Sequence, residues 1–309
     1  MNNLNNGTDV AHHIRMDAQP PAIEFRNVFL SFDDRPVLND VSFVLNAGEM
    51  ILLTGISGSG KSVLLRLAIG LLKADSGQIL INGQNIEAMD ESELLAVRGG
   101  LMGIVFQEDT LFTGLTVYDN AAYRLTEHGW PEEEIEKRVA EVLEFVGLDG
   151  EEKKYPEELS GGMKRRLEMA RALIGWPSIM LFDEPTISLD PLAAVKVMDL
   201  VMRARDVNHI SSLYVTKKIH ELDYLANYRA QAAEGSLAIV EAPATALPNT
   251  RVVVLEEGRV VFSGTVQEFK VSELPAIREL VTLDHHDHAK DPYFADPWDK
   301  QRRPNETIL

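Results

Sequence analysis

The stretch GISGSGKS, Gly55 to Ser62, matches the spacing G-x-x-x-x-G-K-[ST], and each residue type has a reason to be there if the loop holds phosphate. Gly55, Gly58 and Gly60 let the backbone turn tightly, so that successive N–H groups point inward at phosphate oxygens. Ser57 and Ser59 lie between them on the same loop. Lys61 brings a compact charge to the β- and γ-phosphates of a nucleotide, and the Ser62 hydroxyl is placed to ligate Mg²⁺. A second candidate follows far downstream in IMLFDE. There Asp183 is suited to hold Mg²⁺ through its water shell, and Glu184 to orient or deprotonate an attacking water.

Both sites need particular elements around them. MILLTG, Met50–Gly55, is a continuous apolar run of the kind buried on both faces of a parallel sheet. The helix pattern SVLLRLAIGLL follows the glycine turn, and IMLF is an apolar strand carrying the carboxylates at its tip. Upstream, AIEFRNVFLSF and VSFVL alternate as strands around the turn-like DDRP; GQILING and GLMGIVFQ read as further strands. The middle of the chain is helical. PEEEIEKRVAEVLEFVGL has Pro131 at a helix start, acids in the first turn and apolar spacing of i, i+3, i+4. Its glutamates read as a solvated helix face. PLAAVKVMDLVMRA and SSLYVT add another helix and strand. Strands alternating with helices predict an α/β parallel sheet with a helical insertion.

The chain has 309 residues, 45% of them hydrophobic and 25% charged, with a net charge of −18 and no cysteine. Disulfides and thiolate metal sites are therefore excluded. The acidic balance opposes a bulk electrostatic grip on nucleic acid or on an anionic membrane surface. Residues 1–21 are polar, Asn-rich and end in Pro20–Pro21, so a disordered lead is expected there. No apolar core of a signal peptide and no spanning run is visible, which predicts a cytoplasmic protein whose membrane role runs through a partner.

Between the two phosphate sites stands LSGGMKRRLEMARAL, Leu159 to Leu173. With these three motifs together, the chain resembles the nucleotide-binding subunits of ABC transporters over about residues 23–265. The resemblance implies a P-loop NTPase fold with a RecA-like parallel sheet, an antiparallel β subdomain and an inserted α-helical signature subdomain at about 108–175. It also implies ATP and Mg²⁺ as cofactors, and a head-to-tail dimer with a second copy. Ser160, Gly161 and Gly162 would then meet the γ-phosphate bound by that copy. Phe32 resembles the aromatic residue that stacks on adenine, and Gln107 the residue touching Mg²⁺ and the membrane subunit. Asp190 matches the loop between protomers. Met163, Ser188 and Val63 depart from the usual Gln, Gly and Thr without removing a group assigned to chemistry.

The Met-plus-basic signature and LFTGLTVYDNAAYRL after Gln107 look like the ATPase of MCE-type, maintenance-of-lipid-asymmetry transporters. That implies a transmembrane permease and an MCE-domain lipid-binding protein as partners, with phospholipid or another hydrophobic substrate. Small-solute importers share most of these residues and form the alternative.

In this family the strand after the Asp–Glu pair ends in a γ-phosphate-sensing histidine. Here Lys217 follows SSLYVT, and a histidine, His220, comes only three residues later. Lysine has three donors, a fixed charge and no acceptor. It can stabilise γ-phosphate charge but cannot shuttle a proton as imidazole does. Three readings follow: Lys217 as a charge-only sensor in a working ATPase, a non-hydrolysing ATP-clamped scaffold, or Lys217 and Lys218 as plain surface charges. Reassigning the role to His220 would place the sensor about one helical turn away.

The expected organisation is a cassette over residues 22–282 with a weakly patterned long surface loop or insertion at about 229–250. An extended tail is expected over 283–309. The tail carries His285, His286 and His288, read as solvated, and Tyr293, Phe294 and Trp298, read as a strip docking on the partner protomer or on the chain's own second lobe.

Overall fold

The computed structural model describes residues 20–233, 236–243 and 249–288. The first hairpin forms where alternation predicts it. Strands β1 (Ile23–Phe32) and β2 (Arg35–Leu45) pair antiparallel, with Phe32 opposite Arg35. Asp33 and Asp34 take φ of 48° and 60°, the two-residue turn whose twist suits a hairpin. Strand β3 (Met50–Thr54) is buried throughout. Met50 and Leu52 enter one core while Ile51 and Leu53 enter the other, so this strand reads as unbroken apolar sequence.

Helix α1 (Lys61–Ala68) is shorter than its apolar pattern. Gly70, at φ 64°, closes it: Gly70 N–H donates to the Leu67 carbonyl (2.9 Å) and Leu71 N–H to that of Arg66 (2.8 Å). Strands β4 (Ser76–Ile81) and β5 (Gln84–Asn85) complete a four-stranded antiparallel sheet of order β2-β1-β4-β5. Helix α2 (Glu91–Leu101) leads into strand β6 (Met102–Val105).

The helical region consists of α3 (Val117–Glu127), α4 (Glu132–Val146) and α5 (Gly161–Leu173). Ile135, Val139, Val142, Leu143 and Val146 form the buried stripe of α4, and Glu132, Glu133 and Glu134 occupy its first turn. The glutamates there complement the positive end of the helix. Strand β7 (Ile179–Asp183), helix α6 (Pro191–Asp206), strand β8 (Ser211–Val215) and helix α7 (Ile219–Asn227) return the chain to the α/β pattern.

The C-terminal third departs from expectation at its end and adds detail before it. Within the stretch expected as a loop or insertion, β9 (Tyr228–Ala233) and β10 (Ser236–Glu241) pair antiparallel as a separate hairpin. Tertiary bonds at the end of α6 hold its base. Ala230 N–H donates to Asp206 (2.7 Å), and the Arg205 guanidinium to the Tyr228 carbonyl (2.8 Å). After β11 (Thr250–Glu256), β12 (Arg259–Gly264) and the short α8 (Val266–Lys270), helix α9 runs from Pro275 to His288. It therefore crosses the expected start of an extended tail at 283. Buried Ile277 and Leu280 anchor it, and Pro292, the first proline after Pro275, lies beyond its end. The lead before residue 20 and the aromatics Tyr293, Phe294 and Trp298 fall outside the described residues.

The main sheet has the order β12-β11-β3-β8-β7-β6, with every pair parallel except β11–β12. The β11–β12 turn braces the first sheet. Gly258 sits at φ 72° and its carbonyl accepts from Asn39 N–H at 2.8 Å. A Cβ on Gly258 would lie 2.4 Å from the Val37 carbonyl oxygen. Gly258→Ala is therefore expected to destabilise the fold by about 2–3 kcal/mol, measured by urea denaturation. An unchanged midpoint would show that this turn is not clamped against β2.

Candidate functional site

The loop after β3 is wrapped as its glycines require. Gly55 passes so close to β11 that a Cβ would sit 2.1 Å from the Leu255 carbonyl oxygen. Gly60 caps α1 at φ 102°, and a Cβ there would meet Leu38 at 2.8 Å. Lys61 is buried and curls over the loop. Its ammonium donates to the carbonyls of Gly55 and Ile56 (both 2.8 Å) and to the Ser59 hydroxyl (3.3 Å). Burial lowers the Lys61 pKa, and the nearby Lys217 charge acts in the same direction; the charges of Glu184 and Asp183 oppose them. Ser59 is buried beneath the loop, whereas Ser57 and Gly58 are exposed at its crest.

The two halves predicted from sequence meet. The Ser62 hydroxyl donates to Asp183 at 2.9 Å. Asp183 is buried, and that burial raises its pKa, reinforced by the Glu184 charge and opposed by the Ser62 bond. A hydroxyl and a carboxylate converging beside the glycine-rich loop are the donor set of a hard divalent cation, so the residues fit Mg²⁺. Glu184 takes the left-handed φ of 44°, and its N–H donates to the Val215 carbonyl of β8 at 3.0 Å. Such a conformation in a non-glycine residue needs surrounding structure to hold it.

The third strand tip brings the lysine. Lys217 Nζ lies 3.6 Å from the Glu184 carboxylate, with the lysine side chain 43% exposed. It therefore reaches the site from the solvent side, exposed yet in ion-pair range of Glu184. His220 is buried on α7, one turn further on. Lys218 is not a plain surface charge. Its ammonium donates to the Thr186 carbonyl (3.3 Å) and hydroxyl (3.2 Å) and pairs with the buried Glu221 at 3.4 Å.

The remaining predicted residues stand on other elements. Ser160 caps α5, its hydroxyl accepting from Met163 N–H (3.3 Å), and Asp190 caps α6, accepting from Ala193 N–H (3.0 Å). Both residues line one cleft together with Gly162. A Cβ on Gly162 would come within 2.9 Å of the Ala193 Cβ, so glycine allows the two helix starts to approach. Gly161 opens α5 beside them. Ser188 sits at φ 60°, which accounts for the glycine usual at that position. Phe32 is 45% exposed at the end of β1. Gln107 is exposed, and its carbonyl accepts from Arg165 at 3.0 Å.

Sequence reasoning missed the ion pair behind Gln107. Arg165 and Glu168 meet at 2.7 Å, both nearly buried. Arg165 also donates to the Phe106 carbonyl (2.6 Å), and Glu168 accepts from Thr110 N–H (2.8 Å). Helix α5 thus holds both sides of the Gln107 loop. In sequence these two residues look like ordinary charges of an amphipathic helix.

The wrapped loop, the strand-tip carboxylates and the parallel sheet define a P-loop nucleotide-binding ATPase. The family model described as "ABC transporter" matches residues 38–187. The chain is 37% identical over 267 residues to "Methionine import ATP-binding protein MetN 2" of Rhodococcus jostii, covering 85% of this chain and 72% of that one. It is also 34% identical over 269 residues to "Protein TRIGALACTOSYLDIACYLGLYCEROL 3, chloroplastic" of Arabidopsis thaliana, covering 84% and 73%. Among solved structures it resembles the dimeric ATP-binding cassette MJ0796 in a post-hydrolysis state with ADP and Pi. The TM-score is 0.66 and the identity 26%, covering 79% of this chain and 98% of that one. The chain belongs to the ATP-binding subunits of ABC transporters, cassettes that bind ATP with Mg²⁺. It spans 66% of the length of one MetN relative and 55% of some others.

Because folding raises the Asp183 pKa, its ionised form is disfavoured in the folded chain. The resulting penalty is absent at a pH below the unfolded value and grows as pH rises through the raised one. Asp183→Asn, in buffer without Mg²⁺ or nucleotide, should therefore raise Tm at pH 7.5, with the gain vanishing by about pH 3. A variant less stable than the parent at pH 7.5 would contradict this.

Proposed function

We propose that this chain hydrolyses MgATP to drive an ABC transporter for phospholipid or another hydrophobic substrate. It would work as a head-to-tail homodimer on the inner face of a membrane, through a separate transmembrane permease and with an MCE-domain lipid-binding protein. Hydrolysis rests on one observation above all: Ser62 and Asp183 are 2.9 Å apart, with Glu184 next in the chain and Lys217 3.6 Å from it.

Each residue then has a task. The N–H groups of Gly55–Ser62 wrap the phosphates, with Ser57, Gly58 and Ser59 in the wrapping stretch and Lys61 carrying charge to the β- and γ-phosphates. Ser62, Asp183 and Gln107 would hold Mg²⁺, which when bound neutralises phosphate charge. Glu184 takes the proton of the attacking water. Lys217 supplies charge to the γ-phosphate and, with no acceptor, moves no proton. Phe32 stacks on adenine. Ser160, Gly161, Gly162 and Asp190 of the second copy close the site. Support for the dimer comes from the MJ0796 cassette, solved as a dimer.

The lipid reading is supported by LSGGM followed by basic residues, by the stretch after Gln107, and by a relative named for trigalactosyldiacylglycerol. The similarity to a methionine import protein favours a second reading, a small-solute importer. Reconstitution with the permease in liposomes separates the two. Phospholipid movement coupled to ATP use supports the first reading, whereas methionine uptake with no lipid movement supports the second.

Glu184→Gln should lower kcat by at least about 100-fold while ATP remains bound. Turnover as fast as the parent's would remove Glu184 from the chemistry. Lys217→Ala should lower kcat by about tenfold, less than for a fully buried donor because the side chain is half exposed. Lys217→His should restore turnover. If steady-state ATPase measurements find Lys217→Ala as active as the parent, the lysine is not a phosphate sensor.

A further inference from the structure

The proposed chemistry leaves one buried carboxylate unused. Glu221, on the first turn of α7, is 0% exposed. It accepts from the hydroxyls of Tyr214 (3.0 Å), Thr216 (2.7 Å) and Thr186, and pairs with the Lys218 ammonium. Burial, with the Glu221 charge beside it, pushes the Tyr214 phenol well above its ordinary pKa, so it stays a donor. Removing a charge from water is costly, and an apolar side chain would fill such a position more cheaply. Satisfied on every side, however, the carboxylate fixes the groups around it in one arrangement.

Those groups belong to the two segments that carry the chemistry. Thr186 lies two residues after Glu184, and the residue between them, Pro185, has a ring-fixed φ that makes a stiff link. Thr216 lies one residue before Lys217 and accepts from Lys218 N–H at 3.1 Å. The consecutive lysines diverge: Lys217 reaches the Glu184 carboxylate, while Lys218 donates to the carbonyl and hydroxyl of Thr186. The loop after β7 is thus held at the Glu184 carboxylate and again at Thr186, two residues on, while the Glu184 backbone sits at φ 44°. A conformation of that kind persists only where its surroundings over-determine it.

We propose that Lys218 and Glu221 are positioning residues that hold the Glu184 carboxylate in its working place through Thr186. The inference rests on Glu184 being the base that activates water. The hydroxyl partner of Lys218 and Glu221, Thr186, lies two residues from Glu184, and the test below asks whether their effect runs through that carboxylate.

The test is a double-mutant cycle in the full chain assembled with its permease, read by steady-state and single-turnover hydrolysis of labelled ATP. Lys218→Met keeps the aliphatic stem and removes the grip. It should lower kcat by about tenfold with KM for ATP within about twofold, and Lys218→Arg should recover most of the loss. Glu221→Gln, which keeps shape and one acceptor, should lower kcat less. In the Glu184→Gln background, Lys218→Met should slow the residual single turnover no further, since the group it positions is gone. A merely structural role would instead raise KM, lower Tm and slow both backgrounds alike, and that result overturns the proposal. So does an unchanged kcat for Lys218→Met. A parent that Glu184→Gln does not slow sinks both the inference and the reading beneath it. A Glu184-dependent parent indifferent to Lys218→Met sinks the inference alone.

Discussion

Three parallel strands of the main sheet end at one level, and the site depends on that register. β3 and β7 both flank β8, with Leu53 and Asp183 each paired with Val215. The segments leaving these strands, Gly55–Ser62, Asp183–Glu184 and Thr216–Lys218, therefore emerge side by side at the carboxyl edge. A slip of one residue in any strand would turn its side chains to the opposite face, and it would carry Asp183 away from Ser62. The two cores hold the register, because alternate residues of β3 are committed to opposite sides of the sheet.

Charge is arranged on this edge in a way that burial makes consequential. Lys61, Asp183 and Glu184 share a small volume with Lys217, and desolvation pushes Lys61 down and Asp183 up. Each buried charge is accompanied by a donor or acceptor: the loop carbonyls for Lys61, the Ser62 hydroxyl for Asp183. Lys217 is the exception. It is the most solvent-exposed of the four, and among the described residues its ion pair is with the Glu184 carboxylate. Its ammonium can therefore turn toward an incoming phosphate at little loss, a freedom that suits an electrostatic role.

Behind the edge, two ion pairs tie the site's loops to helices. Glu221 and Lys218 fasten the Glu184 loop to α7, and Arg165 and Glu168 fasten the Gln107 loop to α5. The second pair, with the bonds from Arg165 to the Phe106 and Gln107 carbonyls, ties the middle of α5 to the Gln107 loop.

The chemistry-bearing residues were legible in the chain itself. Gly55, Lys61 and Ser62 stand at phosphate-loop spacing and Asp183 and Glu184 end an apolar run, and unbroken apolar runs such as MILLT announce strands covered on both faces. What the sequence left open depended on contacts between distant segments. The β9–β10 hairpin is fastened at its base by Asp206 and Arg205 of α6, and α9 is anchored by buried Ile277 and Leu280, contacts that local alternation does not announce. The lysine at the switch shows the division most clearly. Its type, with no acceptor, was evident at once and excluded proton transfer. Whether it faced solvent or Glu184 was decided by where β8 ends against β7, and the partners of Lys218 and Glu221 by the fold of α7 over the same edge. Residue type sets what a group can do, because that is covalent chemistry; packing sets what it does it to, because the partner comes from elsewhere in the chain.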